Sequence, residues 1–93
     1  MSAPEPTPAA VPARITLYSR PGCHLCDQAR VVIEQICAEL GESYVELDID
    51  DPNQVDPEVR ERMTDEIPVT FVDGAQHDFW RVDPVRLRSA LRR

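Results

Sequence analysis

The chain lacks the features that mark a nucleic-acid or membrane protein. It has no lysine: all ten of its basic residues are arginine, and 17 acidic residues leave a net charge of −7. That balance disfavours a polyanion such as nucleic acid as partner. No apolar run approaches the ~18 residues that mark a membrane span. The first residues lack the apolar stretch of a secretory leader, so export is not expected. Only three cysteines are present, an odd number and too few for a disulfide-stapled scaffold. With no leader, a reducing cytoplasm is the expected location, where closely spaced cysteines are reactive rather than structural. What is present is ordinary for a soluble chain: 93 residues, 42% hydrophobic and 29% charged. That suffices for one domain with one modest core.

Residues 1–13 hold four prolines among small residues. Such a segment buries too little surface to offset its ordering entropy, so it reads as a disordered Pro/Ala-rich tail ahead of a single domain over 14–93. Residues 14–18 read as a buried strand, and Ser19-Arg20-Pro21-Gly22 as a turn. From Cys23 to Leu40, apolar residues at 26, 29, 32, 33, 36, 37 and 40 follow helical spacing, with Gly41 placed to terminate the helix. Residues 43–49 alternate Tyr44/Glu46/Asp48 against Val45/Leu47/Ile49, a strand with one polar side. A helix between two strands predicts a parallel pair with a right-handed crossover.

Asp56-Pro57 and Asp83-Pro84 each place a capping residue before a proline suited to the first helical turn. Residues 68–72 are an apolar strand, Asp73-Gly74 a two-residue hairpin turn, and 75–80 the returning strand. Val82 and Leu87 stand where a hydrophobic staple would hold the last helix. The predicted order is β-α-β-α-β-β-α.

The chemistry concentrates in Cys23-His24-Leu25-Cys26, at the start of the first long helix. A thiol there meets unpaired backbone N–H groups and the positive end of the helix dipole, which stabilise a thiolate. Such a position brings a thiol from ~8.5 to roughly 3.5–7.5. Cys23 is the expected nucleophile, and Cys26, one turn further in and more buried, the resolving thiol. A closed zinc site would need four ligands. Cys37, His24, His77 and carboxylates offer no second paired motif, so no metal is expected. Cys37 lies eleven residues beyond Cys26, ~16 Å along a helix and out of disulfide reach; it reads as a buried, inert residue. Arg20 is a candidate to favour the Cys23 thiolate or to hold a substrate carboxylate. His24, where the helix dipole opposes a positive charge, is a candidate to lend a hydrogen bond. Nine of the acids fall within 46–66, a solvated face or a surface for a basic partner reductase.

The order of elements, with Tyr18-Ser19-Arg20-Pro21-Gly22-Cys23-His24-Leu25-Cys26 after the first strand and Glu66-Ile67-Pro68-Val69-Thr70-Phe71-Val72-Asp73-Gly74 later, resembles the glutaredoxin branch of the thioredoxin fold. The resemblance covers residues 14–92. It implies a four-stranded mixed sheet flanked by three helices. It implies that Pro68 is cis and faces the two cysteines, with the Ile67 main chain pairing with a bound substrate like an added strand. It also places Trp80 and Arg81 beside the CxxC, as candidates to line a substrate groove.

Three departures accompany the likeness. His24-Leu25 replaces the family's usual Pro-Tyr. Phe79-Trp80-Arg81-Val82-Asp83 lacks the Gly-Gly pair that precedes Asp in glutathione-using members. The first strand lacks the buried carboxylate of thioredoxins proper. The implied activity is dithiol–disulfide exchange on protein or low-molecular-weight disulfides, with no tightly bound cofactor. Electrons would come from glutathione, another small thiol or a flavoprotein reductase. The alternatives are a scaffold that bridges an iron–sulfur cluster between two chains through Cys23 and small thiols, and a redox-regulated interaction domain. A monomer is expected.

Overall fold

The computed structural model describes residues 12–92. The tail expected over 1–13 therefore lies almost wholly outside the described residues; Pro12 and Ala13 are exposed and carry no regular structure. The elements are β1 (Ile15–Ser19), α1 (His24–Leu40), β2 (Tyr44–Asp48), α2 (Pro57–Met63), β3 (Val69–Val72), β4 (Ala75–Phe79) and α3 (Pro84–Leu91). They form one four-stranded sheet in the order β2-β1-β3-β4. β1 runs parallel to β2 and antiparallel to β3, and β4 runs antiparallel to β3.

The alternation of β1 divides the core in two. Ile15 and Leu17 face α1 and α3, where they are buried with Ala29, Ile33, Ile36, Val72, Leu87 and Leu91. Tyr18 faces the other way, onto an α2-side cluster of Cys26, Ile49, Val55, Met63, Ile67 and Val69. The β3 residues opposite Tyr18 and Leu17 are Val69 and Thr70, so each face continues across the ladder.

Local rules account for most boundaries. Gly41 closes α1 in the left-handed conformation (φ 70°), and its N–H donates to the Cys37 carbonyl. Asp73 and Gly74 both take positive φ, 52° and 83°, as a two-residue turn between right-twisted strands requires. The Asp83 carboxylate caps α3 by accepting from the Val85 and Arg86 N–H groups. Val82 and Leu87 are both buried in the α1–α3 core, as a staple would have them.

Two details differ from the sequence reading, and a third goes beyond it. Asp56 precedes α2 but makes no side-chain cap. β4 stops at Phe79, because Trp80 turns the chain with φ 62°. The polar side of β2 is partly buried. Tyr44 and Glu46 lie under α1, where they meet Glu34 and Arg30, whereas Val45 on the opposite side is 44% exposed. β2 is an edge strand, and the charged flank of α1 gives its polar side chains partners that alternation alone does not reveal.

Candidate active site

Gly22, at φ 74°, turns the chain out of the β1 loop and into α1. Cys23 is the N-cap, with extended backbone (φ −93°, ψ 113°), and its Sγ accepts the Cys26 N–H at 3.1 Å. The sulfur thus stands where a serine or aspartate oxygen normally satisfies an unpaired helix donor. Cys23 and Cys26 are joined in a disulfide with their Cα atoms 5.2 Å apart. The two sulfurs differ in access: Cys23 is partly exposed, and Cys26 is fully buried.

The Ile67–Pro68 peptide bond is cis. Ile67 belongs to the same apolar cluster as Cys26, and Cys23 and Tyr18 pack against that cluster. Pro68 itself is fully buried. The two segments that the sequence separates by some forty residues therefore meet at one end of the sheet. Among the described residues, the Ile67 N–H and carbonyl enter none of the loop hydrogen bonds.

The remaining candidates are placed as follows. Arg20 is not left free for a thiolate or a substrate carboxylate. Its guanidinium donates to both carboxylate oxygens of Asp50, at 3.1 and 3.2 Å, and to the carbonyl and hydroxyl of Thr64, at 3.4 and 2.9 Å. The turn before the CxxC is thereby tied to the end of α2. The Arg20 hydrogen bonds, with those from Arg60, hold the Asp50 carboxyl below the usual carboxylate range. His24 is exposed at the first helical position.

Trp80 is half exposed and donates its indole N–H to the Asp65 carbonyl at 3.0 Å. With Arg81, Val82, Leu25, Gln28 and Val32 it lines a groove of about 180 Å³ beside the CxxC helix. Arg81 is exposed; its backbone N–H donates to the Phe79 carbonyl at 2.8 Å, and its guanidinium makes no hydrogen bond or ion pair among the described residues. Cys37 is buried and unbonded; burial, with Glu42 and Glu34 adding to it, pushes its thiol above the ordinary range.

Sequence reasoning did not find the braces around the site. Ser19, 4% exposed, donates its hydroxyl to Glu46 at 2.6 Å. Arg30 donates to both Glu46 oxygens and to Asp27. These bonds tie the end of β1, β2 and the first turns of α1 together. No local pattern announces the bonds to Glu46, because they join residues 27 and 16 positions apart in the chain. Among the described residues there is no group of three or more His, Cys, Asp or Glu able to hold a metal, and no helix long and apolar enough to cross a membrane.

A mixed sheet with this order, a disulfide-forming CxxC at the head of α1 and a cis-proline beside it define a glutaredoxin-type thioredoxin fold with a redox-capable cysteine pair. Residues 14–92 match the family described as Glutaredoxin-like domain (DUF836), and the chain belongs to that family. The X-ray structure of a protein from X. campestris, XcR50, is 33% identical, with a TM-score of 0.66 over 84% of this chain and 95% of that one. An uncharacterized protein of Mycobacterium tuberculosis is 31% identical over 86% of this chain and 84% of its own length. The holo form of glutaredoxin C1 from populus tremula x tremuloides shares the fold at 18% identity, with a TM-score of 0.56 over 86% of this chain and 84% of that one.

Proposed function

We propose that the protein is a dithiol–disulfide oxidoreductase that reduces protein or low-molecular-weight disulfides. The observation that carries this reading is the asymmetry of the pair: one accessible sulfur at a helix N-cap, bonded to one buried sulfur a turn further in. In the reduced protein the Cys23 thiolate, favoured by the N-cap donor and the helix dipole, attacks one sulfur of a substrate disulfide. A Cys23–substrate bond forms, and the substrate's other sulfur leaves as a thiolate. Cys26 then loses its proton and attacks the Cys23 sulfur. The intramolecular disulfide forms, the second substrate thiolate departs, and two electrons have passed from the protein to the substrate. The disulfide-bonded pair seen here is the product state of that cycle.

A thiol donor restores the dithiol. Glutathione, another small thiol or a flavoprotein reductase is the class of reductant this chemistry takes. The bonding of the two cysteines to each other favours dithiol exchange over cluster bridging, which would need a Cys23 thiolate as ligand. The Ile67 main chain, in the cluster against which Cys23 packs, suits an extended substrate that pairs with it like an added strand.

The test is disulfide reduction by the purified protein with its cysteines varied one at a time. Cys23→Ser is expected to abolish turnover, and Cys26→Ser to accumulate a mixed disulfide with substrate, visible as a mass increase. Full activity in Cys23→Ser refutes the reading. Parallel incubation of the oxidised protein with each donor class, scored by recovered thiols, identifies the reductant.

A further inference from the structure

We infer that Trp80 is a positioning residue, which clamps the loop before the cis-proline so that the Ile67 main chain is presented to an extended polypeptide disulfide. This inference rests on the oxidoreductase reading above. It concerns which disulfides the protein prefers and not whether it exchanges them.

Three bonds converge from one residue. The Trp80 backbone N–H donates to the Glu66 carbonyl at 3.2 Å and to the Pro68 carbonyl at 2.7 Å. The indole N–H donates to the Asp65 carbonyl at 3.0 Å. The carbonyls on both sides of Ile67 are thereby held, while its own N–H and carbonyl enter no loop hydrogen bond among the described residues. Trp80 reaches this position only with φ at 62°, a conformation unfavourable for a bulky side chain. The opposite end of the same loop is tied down as well, since Arg20 holds the Thr64 carbonyl and hydroxyl from the turn that leads into Cys23.

The loop is thus fixed at both ends to elements that flank the disulfide, and its one unused pair of main-chain groups lies at Ile67. An unpaired main-chain donor and acceptor of this kind can take a partner strand. A polypeptide disulfide can supply a main chain to pair there, whereas a small disulfide without peptide groups gains nothing from it. Preorganisation of the loop therefore favours the polypeptide selectively.

The experiment compares reduced wild type with Trp80→Phe, which keeps the ring but removes the indole donor. Single-turnover rates are measured with two probes: a pair of short peptides linked by a disulfide, and bis(2-hydroxyethyl) disulfide. The ratio of peptide to small-disulfide rate constants is expected to fall roughly fivefold in the variant, the scale of one net hydrogen bond. A general loss of structure would lower both rates together and leave the ratio intact, which overturns the inference. Failure of the wild type on both probes would instead defeat the oxidoreductase reading itself.

Amide exchange supplies a test that needs no change at Trp80. In free Cys26→Ser protein the Trp80 amide is expected to be protected and the Ile67 amide to exchange freely. The Ile67 amide is expected to gain at least tenfold protection when a peptide is trapped on Cys23. Early protection at Ile67, or no gain on trapping, overturns the inference.

Discussion

Replacing Glu46 with alanine tests whether the charged brace under α1 holds the CxxC helix in place. The substitution removes the acceptor of a Ser19 hydroxyl that is 4% exposed, and both Arg30 bonds to the Glu46 carboxylate. An abandoned buried hydroxyl costs about 1–3 kcal/mol. The Arg30 pair is about a third exposed and so contributes less, about 0.2–1 kcal/mol after screening by solvent. A destabilisation of roughly 2 kcal/mol is expected, equivalent to about 10 °C in the melting temperature of a domain this size. Thermal unfolding followed by circular dichroism reads it. Ser19→Ala, Glu46→Ala and the double variant complete a cycle whose coupling is expected to be on the order of 1 kcal/mol.

The pH dependence has a definite sign. Hydrogen bonding from Arg30, and secondarily from Ser19, holds the Glu46 carboxyl below the ordinary carboxylate range. A group lowered on folding contributes stability that is fully present above its unfolded value, about 4.3, and that is lost as pH falls through the folded value. The gap in melting temperature between wild type and Glu46→Gln should therefore be widest near neutrality and close below about pH 4. Additive single-variant effects, or a gap that widens in acid, would refute the brace.

Other outcomes follow from the same structure. Arg20→Met is expected to lower thermal stability while moving the Cys23 thiolate titration, read at 240 nm, very little, because Asp50 already offsets the Arg20 charge; a large upward movement would return Arg20 to the reactive centre. Cys37 should resist alkylation at neutral pH in the folded protein and react only on unfolding, since burial both shields its thiol and raises its pKa; mass spectrometry after iodoacetamide treatment decides this. Asp83→Ala should cost about 0.5–2 kcal/mol of unfolding free energy through loss of the α3 cap, measurable by denaturant titration, with Asp83→Ser recovering most of it.

Much of the architecture was legible from short-range rules. Period-3.6 apolar spacing located α1, Asp83-Pro84 the start of α3, and Asp73-Gly74 the hairpin, because each depends on residues within a turn of one another. The same locality exposed the CxxC motif: a cysteine at a helix start and a second one three residues on are a property of consecutive residues. Arg20 shows where such rules stop. Adjacency to Cys23 suggested a partner for the thiolate, but its nearest acceptors turned out to be Asp50 and Thr64, 30 and 44 positions away. The partners of the polar side of β2 stayed out of reach for a related reason, since α1 supplies Arg30 and Glu34.

The amino-acid order alone determined the elements, their succession and the identity of the sulfur pair, since backbone propensity and helix capping act over three or four residues. Only the folded chain decided where the Arg20 charge goes, and that Trp80 grips the loop before Pro68. Those outcomes depend on distances between segments far apart in the chain, and packing of the sheet and helices sets them.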